Sequence, residues 1–192
     1  MTETLRPIVF ARYPEAGKCK TRLIGEVGAE GGSRVQKRLV ERTLERLASL
    51  DPILSYTGAS AAAFREWLPG VALLAQAEGD LGARMLAAMG EGPAVIVGSD
   101  VPDITAGAVQ EAARLLGEAD LVLGPAEDGG FWLIGVRAPD ARLFADVDWG
   151  TGSVLAAVEA NAKRLGWRTA RAATLADLDR PEDLKRWPEL AP

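Results

Sequence analysis

The chain has 192 residues, 48% hydrophobic and 26% charged, which suits one domain over residues 1–192 with a substantial core better than two independent ones. Its 22 Lys and Arg against 27 Asp and Glu leave a formal net charge of -5, which argues against the basic face of a nucleic-acid-binding protein. The absence of His excludes imidazole bases, His-containing zinc sites and Ser-His-Asp or Cys-His catalysis, and the lone Cys19 excludes an intrachain disulfide.

The start, Met1 to Pro7, is polar, carries Arg6 and lacks the apolar region of a secretory signal. No apolar run reaches transmembrane length, so the expectation is a cytoplasmic protein without a membrane span. Short apolar runs alternating with longer amphipathic segments predict βα units and a largely parallel sheet.

The first strand is predicted over Ile8 to Ala11. The loop after it brings Arg12, Lys18, Lys20 and Arg22 around Pro14 and Gly17. Such a density of cations in an acidic chain suits a phosphate held by backbone N–H groups and side chains; the plainer reading is a solvated basic turn. Gly17 and Lys18 do not make a Walker A loop, because Arg12 stands where its first Gly belongs and Cys19 where Ser or Thr is required.

Val35, Leu39, Val40, Leu44 and Leu47 fall at helical spacing within Ala29 to Leu50, with the charges on the other face. Strands follow at Ile53 to Tyr56 and Val71 to Leu74. In Glu78-Gly79-Asp80 the glycine permits close approach of backbone to a ligand, while Asp80 serves equally as N-cap of a helix over Leu81 to Met89.

The strand Ala94 to Val97 ends abruptly in Gly98, Ser99, Asp100, Val101, Pro102 and Asp103. Ligands of open α/β sheets bind at the carboxyl rim, where Asp100 can hold a divalent cation against phosphate oxygens or merely end the strand. A helix over Thr105 to Leu116, with Thr105 as N-cap, leads to a strand at Leu121 to Leu123.

The turn Gly124 to Gly130 sets Glu127 and Asp128 at the same rim, for a metal or a base role or simply for chain reversal. No helix fits between it and the strand Phe131 to Val136, which predicts a mixed sheet with this strand antiparallel. Asp148, Trp149, Gly150, Thr151 and Gly152 open a helix over Ser153 to Leu165, where backbone donors can bind an anion or the residues can cap the helix and bury the Trp. Trp67, Trp132, Trp167 and Trp187 read as packing residues. Ala176 to Pro192 reads as a short segment and one helical turn closed by Pro188.

Taken in order, Gly17 to Leu23, Gly79 to Met85, Gly98 to Pro102, Gly124 to Gly135, Leu143 to Thr151 and Asp177 to Leu184 resemble a bacterial family of GT-A-fold transferases, the selenodomain-associated or arsenosugar-type glycosyltransferases. That family is distantly similar to the molybdenum-cofactor and phospholactate guanylyltransferases. The resemblance runs from Ile8 to about Leu184 and implies a single-domain α/β GT-A fold: a Rossmann-like, mostly parallel sheet with a mixed C-terminal portion and helices on both faces.

It further implies that Gly17, Lys20 and Arg22 hold the nucleotide phosphates, with Arg12, Lys18, Gly79, Asp80 and Ser99 beside them. Asp100 becomes the ligand of Mg²⁺ or Mn²⁺, and Asp128 a second ligand or the base, with Glu127 or Asp103 in reserve. Glu127, Gly129, Gly130, Trp149 and Thr151 fall on the acceptor side. The chain departs from the family at Arg12, where Lys is usual, at Val101, often Cys, and at Gly150, commonly Ser.

The expected activity is transfer of a sugar from a nucleoside diphosphate sugar to a small acceptor, with the metal, Lys20 and Arg22 neutralising the leaving diphosphate. The alternative is nucleotidyl transfer from a nucleoside triphosphate to a phosphorylated small molecule, releasing pyrophosphate. A binding module without turnover fits less well, since buried charges without partners would be expected to decay.

Overall fold

In the computed structural model, which describes residues 5–192, the predicted strands line up side by side. The part of the Met1 to Pro7 reading that rests on residues 1–4 lies outside the described residues. The strands are β1 (Ile8–Arg12), β2 (Ile53–Thr57), β3 (Ala72–Ala75), β4 (Ala94–Gly98), β5 (Leu121–Pro125), β6 (Phe131–Val136) and β7 (Thr169–Arg171). They form one sheet in the order β3-β2-β1-β4-β6-β5-β7. Pairing is parallel throughout except for β6, which runs antiparallel to both β4 and β5, as the short Gly124 to Gly130 connection predicts.

Among the described residues five α-helices cover the sheet: α1 (Ile24–Arg46), α2 (Ala61–Trp67), α3 (Leu81–Met89), α4 (Ala106–Leu115) and α5 (Val154–Arg164). The period-two alternation of strands decides which helix packs where. Val9, Ala11, Val95 and Val97 face Val40 and Leu44 of α1, Phe64 of α2 and Val109 of α4. Ile8, Ala94 and Ile96 face the other way, onto Met85 and Met89 of α3 and Val158 of α5. With both faces covered, Leu54, Leu133 and Ile134 are 0% exposed, and each such side chain contributes roughly 1.5–3 kcal/mol by burial. A third cluster, including Leu23, Val35, Leu39, Leu178, Leu184 and Trp187, fastens the C-terminal segment to α1.

Several element boundaries differ from those predicted, each for a local reason. Gly28 (φ 70, ψ 171) breaks α1, and its long part begins at Ala29 as expected. That part stops at Arg46 instead of Leu50: Leu47 leaves the helical region (φ -100, ψ 4), and Ala48–Leu50 form a separate 3₁₀ turn that ends at Asp51, ahead of Pro52. The short α2, capped by Ser60, and the three-residue edge strand β7 were not foreseen. Pro188 opens a second 3₁₀ turn, Pro188–Leu190, after Pro181–Lys185; its preset φ suits a first helical position, so it does not close the end. Among the described residues no helix is long and apolar enough to cross a membrane.

Candidate functional site

The chain passes from β1 outward to β2 and β3, then returns to the other side of β1 as β4. Such a switch point leaves a crevice at the carboxyl ends of the two central strands. A cavity of about 410 Å³ lies there, and Arg12, Lys18, Lys20, Gln76, Ser99 and Asp100 are among its walls.

The basic loop enters this cavity in a particular order. Gly17 (φ 79) turns the chain, and Lys18 donates its N–H to the Glu15 carbonyl at 3.0 Å. Lys18 also pairs with Glu15 at 2.9 Å, and Arg22 pairs with Asp179. Arg12 makes no ion pair among the described residues. Lys20 is different: its side chain is 3% exposed, and its Nζ donates to the Leu178 carbonyl at 2.7 Å and is ion-paired with Asp100 Oδ1 at 2.8 Å. Cys19, in the same wall, is buried, which pushes its thiol pKa up and makes it a poor nucleophile.

A second cavity, of about 240 Å³, shares Asp179 with the first and is lined by Arg22, Asp128, Thr151 and Asp177 among others. A smaller pocket of about 190 Å³ shares Arg22, Asp128 and Thr151 with it and is walled by Leu81, Phe131 and Trp149. Asp128 Oδ1 accepts from the Gly130 N–H at 2.8 Å, while Glu127 pairs with Arg186 at 2.9 Å. Gly129 (φ 89) lies so close to the start of α5 that a Cβ there would meet the Gly152 carbonyl at 2.2 Å. Its own carbonyl accepts from the Leu155 N–H at 3.1 Å, so one of the anion-binding donors expected at this helix end already has a partner. Thr151 Oγ1 donates to the Asp148 carbonyl at 2.8 Å, and Trp149 packs on Phe144 across Gly82, where a Cβ would approach the Trp149 ring to 2.9 Å.

Both acidic turns are held by one segment. Leu178 N–H donates to the Asp100 carbonyl at 2.8 Å, Leu175 N–H to the Pro125 carbonyl at 3.1 Å, and Glu127 N–H to the Leu175 carbonyl at 3.2 Å. This strap delivers Asp177 and Asp179, which the residue-by-residue reading of the sequence missed. Their signal was the Asp-Leu-Asp alternation, whose middle residue Leu178 is 0% exposed. Burial, and after it the charge of Asp128, pushes the Asp177 carboxyl up to about 6, with Asp179 and Asp100 acting in the same direction.

Other expected residues stand elsewhere. Asp80 caps α3 by accepting from the Ala83 N–H at 2.8 Å, and Arg84 Nε donates to the Gly79 carbonyl; Leu81, the next residue, is the one lining the cavities. Asp103 accepts from Trp187 Nε1 at 3.1 Å, away from either cavity, which removes it as a reserve base. Trp132 and Trp67 pack as predicted, donating to the Ala173 carbonyl and to Glu41.

For a metal, the available donors are carboxylate oxygens, the chemistry of a hard cation. Asp100 Oδ1 is paired with Lys20, and its second oxygen accepts no hydrogen bond among the described residues. No three candidate ligands come together among those residues. Mg²⁺ characteristically binds through one or two carboxylates plus substrate phosphates, and Asp100 in the wall of a cavity also lined by Arg12, Lys18 and Lys20 fits that mode.

A family model described as "Uncharacterized protein conserved in bacteria (DUF2064)" matches residues 39–151. Among solved structures, a protein of Desulfovibrio desulfuricans G20 provisionally assigned as a nucleotide-diphospho-sugar transferase matches with a TM-score of 0.86 and 32% identity, over 93% of this chain and 84% of that one. The inositol-1-phosphate CTP transferase from T. maritima matches with a TM-score of 0.63 and 13% identity, over 99% of this chain and 96% of that one. Molybdopterin-guanine dinucleotide biosynthesis protein A from Archaeoglobus fulgidus matches with a TM-score of 0.58 and 14% identity, over 95% and 97%. The last two share the fold. No curated protein matches the sequence.

Proposed function

The chain belongs to the DUF2064 family, and on that footing we propose that it is a metal-dependent transferase that moves a sugar from a nucleoside diphosphate sugar to a small acceptor. The observation that carries this reading is the cavity at the β1–β4 switch point, with Arg12 and Lys18 on one wall and Asp100 on another. The likeness to the Desulfovibrio protein supports a sugar nucleotide as the donor.

In this reading Arg12, Gly17, Lys18 and Ser99 receive the diphosphate, and Lys20 and Arg22 add positive potential where leaving-group charge develops. Gly79 and Asp80 act indirectly, by starting α3 so that Leu81 borders the donor. Mg²⁺ or Mn²⁺, when bound at Asp100, supplies Lewis-acid neutralisation of the phosphates. Asp128 takes the acceptor's proton, in a pocket bordered by Gly130, Trp149 and Thr151 and shaped by Gly129. Glu127, paired with Arg186, is the weaker base of the two.

Isothermal titration of the protein with a panel of nucleoside diphosphate sugars, with and without Mn²⁺, tests the proposal. One donor is expected to bind, and to lose at least about tenfold in affinity when Mn²⁺ is removed, a change of ~1.4 kcal/mol. Failure of every donor to bind in the presence of Mn²⁺ overturns it. Steady release of pyrophosphate from a nucleoside triphosphate and a phosphorylated acceptor would establish nucleotidyl transfer instead.

A further inference from the structure

Lys20 lies beneath the donor cavity, unlike its neighbour in the same loop: its side chain is 3% exposed, against 59% for Lys18. Its backbone is left-handed (φ 46, ψ 43), a region disfavoured for residues with a Cβ, so the tertiary contacts of the side chain hold it there. An ammonium has three N–H donors. One goes to the Leu178 carbonyl at 2.7 Å, and the ammonium is ion-paired with Asp100 Oδ1 at 2.8 Å, while Asp179 Oδ1 stands off at 4.0 Å. The Asp100 carbonyl in turn accepts from the Leu178 N–H at 2.8 Å, which closes a ring of contacts around one carboxylate.

We propose that Lys20 is a positioning residue, the internal counter-ion of Asp100: it fixes that carboxylate against the C-terminal strap while no divalent cation is bound, and a cation takes Asp100 only by releasing the ammonium toward Asp179. The inference rests on Asp100 being the metal carboxylate of the proposed function. Its physical content is competition. A positive charge already sits at hydrogen-bond distance from the ligand oxygen, so a bare cation meets repulsion, whereas one arriving with the donor's phosphates does not. Metal and donor then enter together, each raising the affinity for the other by the same factor.

The test is titration of Mn²⁺ alone into the wild-type chain, Lys20→Met and Lys20→Arg, with free Mn²⁺ followed by electron paramagnetic resonance. Lys20→Met is expected to bind Mn²⁺ at least about tenfold more tightly than wild type, and Lys20→Arg, which keeps the charge, to stay within about threefold. A lysine that only props the fold predicts weaker Mn²⁺ binding in Lys20→Met; unchanged or weakened affinity overturns the counter-ion role. A second reading uses the wild-type chain, so it survives if Lys20→Met fails to fold. The side-chain ammonium resonance of Lys20 is expected to shift on saturation with Mg²⁺ alone, and an unmoved signal overturns the proposal.

Donor titration in Mn²⁺ separates this inference from the reading beneath it. Wild type that binds a nucleotide sugar with Mn²⁺, beside a Lys20→Met chain of unaltered Mn²⁺ affinity, removes the counter-ion and leaves the function. A gain of Mn²⁺ affinity in Lys20→Met, beside wild type that binds no donor, does the reverse.

Discussion

The cavity at the β1–β4 switch point and the acidic cavity meet at Asp179, yet they are assembled in opposite ways. The first follows from topology: β1 and β4 end side by side, and Arg12, the last residue of β1, becomes a wall together with Ser99 and Asp100, which directly follow β4. The second has no such template. It gathers Asp128 from the β5–β6 turn, Thr151 from the approach to α5, and Asp177 and Asp179 from a strap bonded to both acidic turns. Carboxylates brought this close repel one another, so the second cavity persists because Arg22, Lys20 and a row of backbone hydrogen bonds hold it. A crevice set by strand order tolerates loop changes that a cavity of converging loops does not.

The sharpest way to break the contrast is chemical. Asp100→Asn is expected to lower metal-dependent release of nucleoside diphosphate on the order of 10³-fold, and also to lower the melting temperature because it leaves the buried Lys20 ammonium without its partner. Turnover like that of the wild type would remove Asp100 from the donor side altogether.

The next effect is steric and belongs to the acidic side. Gly129→Ala places a Cβ 2.2 Å from the Gly152 carbonyl at a φ of 89°, and should destabilise the protein by about 3 kcal/mol in denaturant titration. A loss below about 0.5 kcal/mol would mean that the turn yields freely, and the difference in rigidity between the two cavities would dissolve.

The smallest effect is electrostatic and has a sign that depends on pH. A carboxyl raised in the folded state holds its proton more tightly there than when unfolded, so stability falls as pH rises between 3.8 and about 6. In metal-free buffer at pH 7.5, Asp177→Asn should therefore stabilise the chain by about 1–2 kcal/mol, and the gain should fade toward pH 4. Thermal unfolding across that range measures it; a destabilised variant at neutral pH would mean that the carboxylates of the second cavity do not oppose one another.

The same contrast explains what could be read from letters. Asp100 was legible because Gly98 and Pro102 frame it at the end of an apolar run, and the antiparallel β6 because Gly124 to Gly130 leaves no space for a helix. Lys20 was legible as a cation but not as an interior one, since its partners Leu178 and Asp179 are contacts of the folded chain only. Asp177 and Asp179 were obscured for the same reason. The cap reading of Asp80 holds and its phosphate-side reading finds no support in the cavity walls, while Asp103 receives a Trp N–H: an aspartate at a rim and an aspartate in either of these roles look alike until the neighbours are known. The helix α2 is only seven residues long, and much of its support comes from Phe64 and Trp67 packing on Tyr13 at 5.2 and 5.8 Å, which local propensity does not register.

The bond from Lys20 to Leu178 spans 158 residues of chain, whereas adjacent β5 and β6 are joined by a short turn. Contacts that close so long a loop must overcome more chain entropy before they contribute any stabilisation, so the expected order of assembly has the sheet form first and the strap dock last. The protein would then pass through a stage with its architecture nearly complete and its chemistry not yet built, and a bound donor would act in part as a late folding aid.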